Sequence, residues 1–160
     1  MLIQSRACSQ AVGGMVGPMT TEGVTQSFSY SLTGVDTACG SGAGSAANSC
    51  GVHIHSGMTC GDNAGGHYFT GTVTSDPWTS IAYTSVAGEA KGVVTVMTGA
   101  TWPDIEGRAM IIHGFDGGRI ACALIEPVRS VPPAMASDFV KYYTYDGPWV
   151  SCSLVICEEQ

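Results

Sequence analysis

Polar and apolar positions alternate along this chain in short stretches, and long runs of Ala, Glu, Lys and Leu are missing. From Val24 to Leu32 (VTQSFSYSL), Val24, Gln26, Phe28, Tyr30 and Leu32 alternate with Thr and Ser, a two-residue period broken only at Gln26. That period is the signature of a strand with one buried face. Thr33-Gly34-Val35-Asp36 then reads as a turn. Further strands are predicted at Gly51 to His55, Gly92 to Met97, Arg108 to Ile112 and Arg119 to Ile125 (RIACALI). Weaker signals lie at 2–8 and 12–19. Residues 139–145 and 149–157 flank Asp146-Gly147-Pro148 as a hairpin would. Between the strands run a Gly-rich loop from Ser56 to Phe69, a second long loop over 70–85, and a linker over 127–133. Many short strands separated by Gly, Asp and Pro predict an all-β sandwich or barrel.

Composition narrows the partners. With 160 residues the chain fits one domain that can bury a real core. A net charge of −7 argues against nucleic acid or an anionic membrane as a partner. No apolar run approaches the roughly 18 residues that span a bilayer. Met1 to Gln10 lacks the apolar core of a signal peptide, so any leader is expected upstream. Seven cysteines alongside few lysines point to an oxidising, secreted setting.

The candidate chemistry lies in four histidines, the only ones in the chain. His53 and His55, two apart on a strand, point to the same face and can close on one metal ion. His67 follows Gly65-Gly66, and His113 ends an apolar strand. Just ahead of His53, Cys39 and Cys50 enclose ten small residues that cannot fix their own shape, and a Cys39–Cys50 disulfide is expected to staple them, the alternative being that each pairs elsewhere.

Two stretches, Cys50 to Phe69 (CGVHIHSGMTCGDNAGGHYF) and Gly107 to Ile125 (GRAMIIHGFDGGRIACALI), carry His-x-His, Cys, Gly-Gly-His, Gly-Arg-x-x-x-x-His and Arg-x-x-Cys in order. In this order they resemble the copper/zinc superoxide dismutase family, over roughly residues 10–127. The resemblance implies a Greek-key β-sandwich or barrel. It implies that His53, His55 and His113 ligate copper, and that His67 matches the histidine bridging copper and zinc. It implies a Cys60–Cys122 disulfide tying the loop to the barrel, and Arg119 as the arginine that draws superoxide to the metal.

Departures from the family pattern refine the expectation. The family's zinc loop needs two further histidines, and none remains, so a zinc site of that type is excluded by counting. Only five residues separate His113 from Arg119, where the family has a long charged loop. Both losses resemble the copper-only superoxide dismutases, including domains of secreted repeat proteins. The expected cofactor is therefore one copper, without zinc, and the expected partners are superoxide and neighbouring domains of a repeat protein, with a monomer favoured over a dimer. A carboxylate is then needed to orient His67 in place of zinc. Asp76, in the loop after His67, is the first candidate, with Glu89 and Glu106 as alternatives. A copper-binding or copper-delivery module with little turnover is the second reading. A zinc hydrolase is the weakest, for want of a general base. Residues 1–127 are expected to form the copper-binding domain, and 128–160 a C-terminal extension, linker or hairpin. Cys8, Cys152 and Cys157 leave an odd thiol if both disulfides form, or a bond joining the two ends.

Overall fold

A computed structural model describes residues 12–61, 64–127 and 150–153. The described chain is all-β: strands β1 (Gly13–Glu22), β2 (Thr25–Thr33), β3 (Val52–Ile54), β4 (Glu89–Met97), β5 (Ala109–His113), β6 (Arg119–Leu124), β7 (Glu126–Pro127) and β8 (Val150–Ser153). Two short helical turns interrupt them, a 3₁₀ turn at Thr37–Ser41 and α1 at Trp102–Ile105. The strands form two antiparallel sheets, one ordered β4-β2-β1-β8-β7 and the other β3-β5-β6. Among the described residues neither sheet closes into a barrel. No helix in the described chain is long and apolar enough to cross a membrane.

The alternation seen in the sequence is the packing pattern. On β2, Gln26, Phe28 and Leu32 are buried while their Thr and Ser neighbours reach the surface. Gln26, the break in the pattern, sits in the core because its amide is fully used. It donates to Thr98 Oγ1 at 3.2 Å and Ala100 O at 2.7 Å and accepts from Thr21 Oγ1 at 2.6 Å. Phe28, Leu32, Val94 and Val96 from the larger sheet and Val52, Ile54, Met110 and Ile112 from the smaller share one core.

Strand β5 is buried at every position. Met110 and Ile112 pair with Ile54 and Val52 and face the main core. Ala109 and Ile111 face the other way, into a small cluster with Ala64 under the 56–69 loop. Because side chains alternate, His113 shares the Ile111 face, and His53, paired with Ile111, lies there too. The sandwich thus devotes one outer face of its smaller sheet to the histidines.

The C-terminal segment expected as an extension contributes β8, which pairs with β1 and with β7. Four of its residues are therefore built into the larger sheet. The expected strands over 2–8 and 139–145, and the 127–133 linker past Pro127, lie outside the described residues.

Candidate metal centre

The site is assembled by β3, β5, β6 and the two long loops. His53 sits in β3, and His55 just beyond it forms a bridge with His67. The loop returns alongside β3 because Tyr68 N donates to Ile54 O at 2.8 Å and Ser56 N to Gly66 O at 2.8 Å. Cys60–Cys122 ties this loop to β6, and Cys39–Cys50 closes the turn that leads into β3. Between Ile112 and His113 the β5–β6 register slips by one residue, so that Arg119 comes opposite His113. A bulge of this kind re-aims side chains at a site.

Each imidazole is oriented by its outer nitrogen. His53 Nε2 donates to Ile81 O at 2.7 Å, His55 Nδ1 to Gly65 O at 2.9 Å, and His113 Nδ1 to Gly117 O at 2.9 Å. His67 Nδ1 donates to Asp76 Oδ2 at 2.7 Å. A carbonyl or carboxylate only accepts, so these four bonds fix the tautomers. The inward nitrogens, Nδ1 of His53 and Nε2 of the other three, are left as lone pairs. One nitrogen from each ring lies within 4.8 Å of all the others.

The inward faces fit a cation. His53 Nδ1 and His67 Nε2 are buried with no hydrogen-bond partner. His55 Nε2 and His113 Nε2 stand 3.2 Å apart, each with its proton committed elsewhere. Two lone pairs facing at that distance repel unless a proton or a metal ion comes between them. A proton is disfavoured there. Burial, with weaker repulsion from the neighbouring histidines, lowers the pKa of His53 to about 3 and of His113 to about 4, while burial chiefly lowers His55 to about 4. His53, His55 and His113 are thus neutral at ordinary pH, and the cluster is shaped to bind a metal ion.

Glycines make the space. A β-carbon on Gly51 would collide with the His53 ring, and one on Gly65 with Ser56 Oγ. Gly65 and Gly117, whose carbonyls orient His55 and His113, both have positive φ, at 72° and 80°. That conformation strains any other residue.

The pocket over the histidines is lined by the 43–49 loop, the 79–82 turn, Gly66, Asp76 and Arg119. Arg119 is exposed at its rim and donates from Nη2 to Gly65 O at 2.7 Å, the same oxygen that His55 uses. Of the three carboxylates considered for His67, only Asp76 reaches it. Glu89 opens β4 and Glu106 follows α1, both exposed and outside the pocket. Neither can orient His67, because the 70–85 loop folds Asp76 back over it.

Several contributors carried no sequence signal as site residues. Trp78, fully buried, holds Asp76 through its backbone N–H at 2.9 Å. Tyr83 Oη donates to His113 O at 2.9 Å. Arg108 lies 3.5 Å from the centre of the Tyr68 ring and donates to Ser56 O, bracing both ends of the His67 loop. The cysteines Cys8 and Cys157 lie outside the described residues, and Cys152 is described only as a backbone position in β8.

No family model matches this chain, and no curated protein matches it.

Proposed function

We propose that this chain is a copper-only superoxide dismutase, taking one copper on His53, His55, His67 and His113 and acting without zinc. The observation that carries this reading is the donor set: four imidazoles, three buried and His67 half-buried, all oriented from outside, with their inward nitrogens within 4.8 Å. Among the described residues no thiolate or carboxylate joins them, and both Asp76 oxygens are taken, by His67 and by Trp78 N. An all-imidazole set of four suits Cu(II), and three of them suit Cu(I). Zinc has one accessible state and cannot run a one-electron cycle. A second metal of the family type would need His67 Nδ1, and Asp76 holds that nitrogen's proton.

Bound copper supplies a one-electron couple, by which one superoxide is oxidised to O2 and a second, with two protons, is reduced to H2O2. The chain's own residues do the rest. Arg119 is the permanent cation among the residues lining the pocket, and keeps N–H donors beyond the one given to Gly65 for a small anion. Asp76 fixes the His67 ring through Nδ1, so that Nε2 is the atom that would take the metal and that, when off the metal, would carry a proton toward the pocket. The Greek-key arrangement of the resembled family, a secreted location and membership of a repeat protein belong to the same proposal. The two antiparallel sheets are consistent with the first and the two disulfides with the second, while the third rests on the resemblance alone.

The test is metal content measured together with superoxide turnover on copper-loaded protein, with and without zinc. One copper per chain, turnover and indifference to zinc are expected. Bound copper with negligible turnover would move the chain to the copper-delivery reading. Tight zinc and no copper would overturn the proposal.

A further inference from the structure

The 70–85 loop contains no histidine, cysteine or glutamate, and Asp76 is its one acidic residue. It still orients two of the four imidazoles, and what organises it is Trp78. The side chain is fully buried, and its indole Nε1 donates to Tyr68 O at 2.8 Å. Its backbone N–H donates to Asp76 Oδ1 at 2.9 Å, turning the other carboxylate oxygen to His67. Its carbonyl accepts from Ile81 N at 2.9 Å, closing the turn whose Ile81 carbonyl receives His53 Nε2–H. The indole ring itself lies 5.9 Å from the His53 ring. One residue thus reaches His67 by way of Asp76, His53 by way of Ile81, and the residue after His67 by way of Tyr68.

The turn is also anchored at both ends. Tyr83 N donates to Cys50 O at 2.8 Å, and Ala82 bridges Gly51, so the turn is fixed to the start of β3. The indole bond to Tyr68 O fixes it to the returning 66–68 segment. Losing that bond frees the turn on the His67 side only, while the β3 side stays paired.

We propose that Trp78 is the positioning residue of the metal centre, presetting the tautomers and ring positions of His53 and His67 before any metal arrives. This rests on the four histidines being a metal site. It adds that the loop holds its geometry through a hydrogen-bonded indole and needs no second metal. Partners outside the ligand set commonly change metal affinity by about 10–100-fold when removed.

The experiment compares the unaltered chain with Trp78→Phe, which keeps an aromatic ring in the core and removes the indole N–H. In the metal-free protein, nitrogen-15 spectra of the imidazoles report the tautomers. The unaltered chain is expected to show His67 protonated at Nδ1 and His53 at Nε2, each as one form. Trp78→Phe is expected to show mixed tautomers at His67, a smaller admixture at His53, whose Ile81 partner adjoins the side that stays paired to Gly51, unchanged tautomers at His113, and copper affinity weaker by about 10–100-fold. Hydrogen exchange on the unaltered metal-free chain gives a second readout that does not depend on the variant folding. The Trp78 indole N–H and Ile81 amide should exchange as slowly as the β3 amides. Rapid exchange of both, or a Trp78→Phe protein that is less stable yet keeps its tautomers and copper affinity, overturns the proposal. Failure of the unaltered chain to bind copper would count against the proposed function instead. The tautomer comparison needs no metal and still decides the role of Trp78.

Discussion

Each of the four histidines spends one ring nitrogen to hold the other in place, and the burial of three of them makes the metal-free site sensitive to acid. His53, His55 and His113 are held neutral by burial, with pKa values of about 3, 4 and 4 against an ordinary 6.5. In the unfolded chain they take up protons from about pH 6.5 downward, and in the folded chain only near pH 4. Between these limits the unfolded state binds more protons, so stability rises with pH and falls on acidification. Each histidine contributes up to about 1.4 kcal/mol per pH unit to that slope. Denaturant titration of metal-free protein from pH 7 to pH 4 checks this, and a flat profile contradicts it. A second residue-scale prediction concerns Gly51, where an added β-carbon meets the His53 ring. Gly51→Ala is expected to displace that imidazole and weaken copper binding at least about 10-fold, read by competition with a chelator. The histidines and Asp76 could be picked out from the sequence because their chemistry resides in side chains. The carbonyls of Ile81, Gly65 and Gly117 could not, since every residue carries one and only the fold decides where it points.

At the scale of elements, β2, β5 and β6 are visible in the sequence because each has a buried and a less buried side, or is apolar throughout. The 3₁₀ turn at Thr37–Ser41 and α1 at Trp102–Ile105 are too short to leave a periodic trace. Gln26 reads as a flaw in the β2 pattern, because a sequence does not say which polar groups find partners in the core. The slip between Ile112 and His113 is likewise invisible, being a property of two strands together. The turn between Cys39 and Cys50 is legible from composition alone: small residues with nothing to pack need a covalent clasp. Closing 11 residues stabilises by about 3 kcal/mol if the effect is chain entropy. The double variant Cys39→Ser with Cys50→Ser is therefore expected to unfold at lower denaturant by about that amount. Because Cys50 stands two residues before Val52, copper affinity should fall as well. Equilibrium unfolding with a matched copper titration tests both, and an unchanged midpoint would show that the clasp is dispensable.

For the whole molecule the governing quantity is charge. A net −7 repels an incoming anion, while Arg119 at the pocket rim attracts it over a short range. Under the proposed function, Arg119→Ala should keep its copper and lose about 10-fold or more in turnover. In that variant the repulsion from the net negative charge outweighs the short-range attraction of the copper itself over long distances, so turnover should rise as salt goes from about 0.01 to 0.15 M and the screening length shrinks from about 30 Å to about 8 Å. In the unaltered chain the rise should be smaller, because salt screens the attraction too. Steady-state rates across that range decide it, and parallel salt curves would remove Arg119 from the steering role. The order of strands in the larger sheet, with β8 between β1 and β7, was beyond the sequence, since pairing between distant segments leaves no local mark. One oxygen, finally, makes the entrance and the centre a single device. Gly65 O accepts one hydrogen bond from Arg119 and another from His55. Under the proposed function, an anion that drew the guanidinium off Gly65 O would leave that oxygen to His55 alone, which would tighten the remaining bond and enrich the imidazole in electron density. The rim and the proposed copper ligand would then be coupled through one backbone carbonyl.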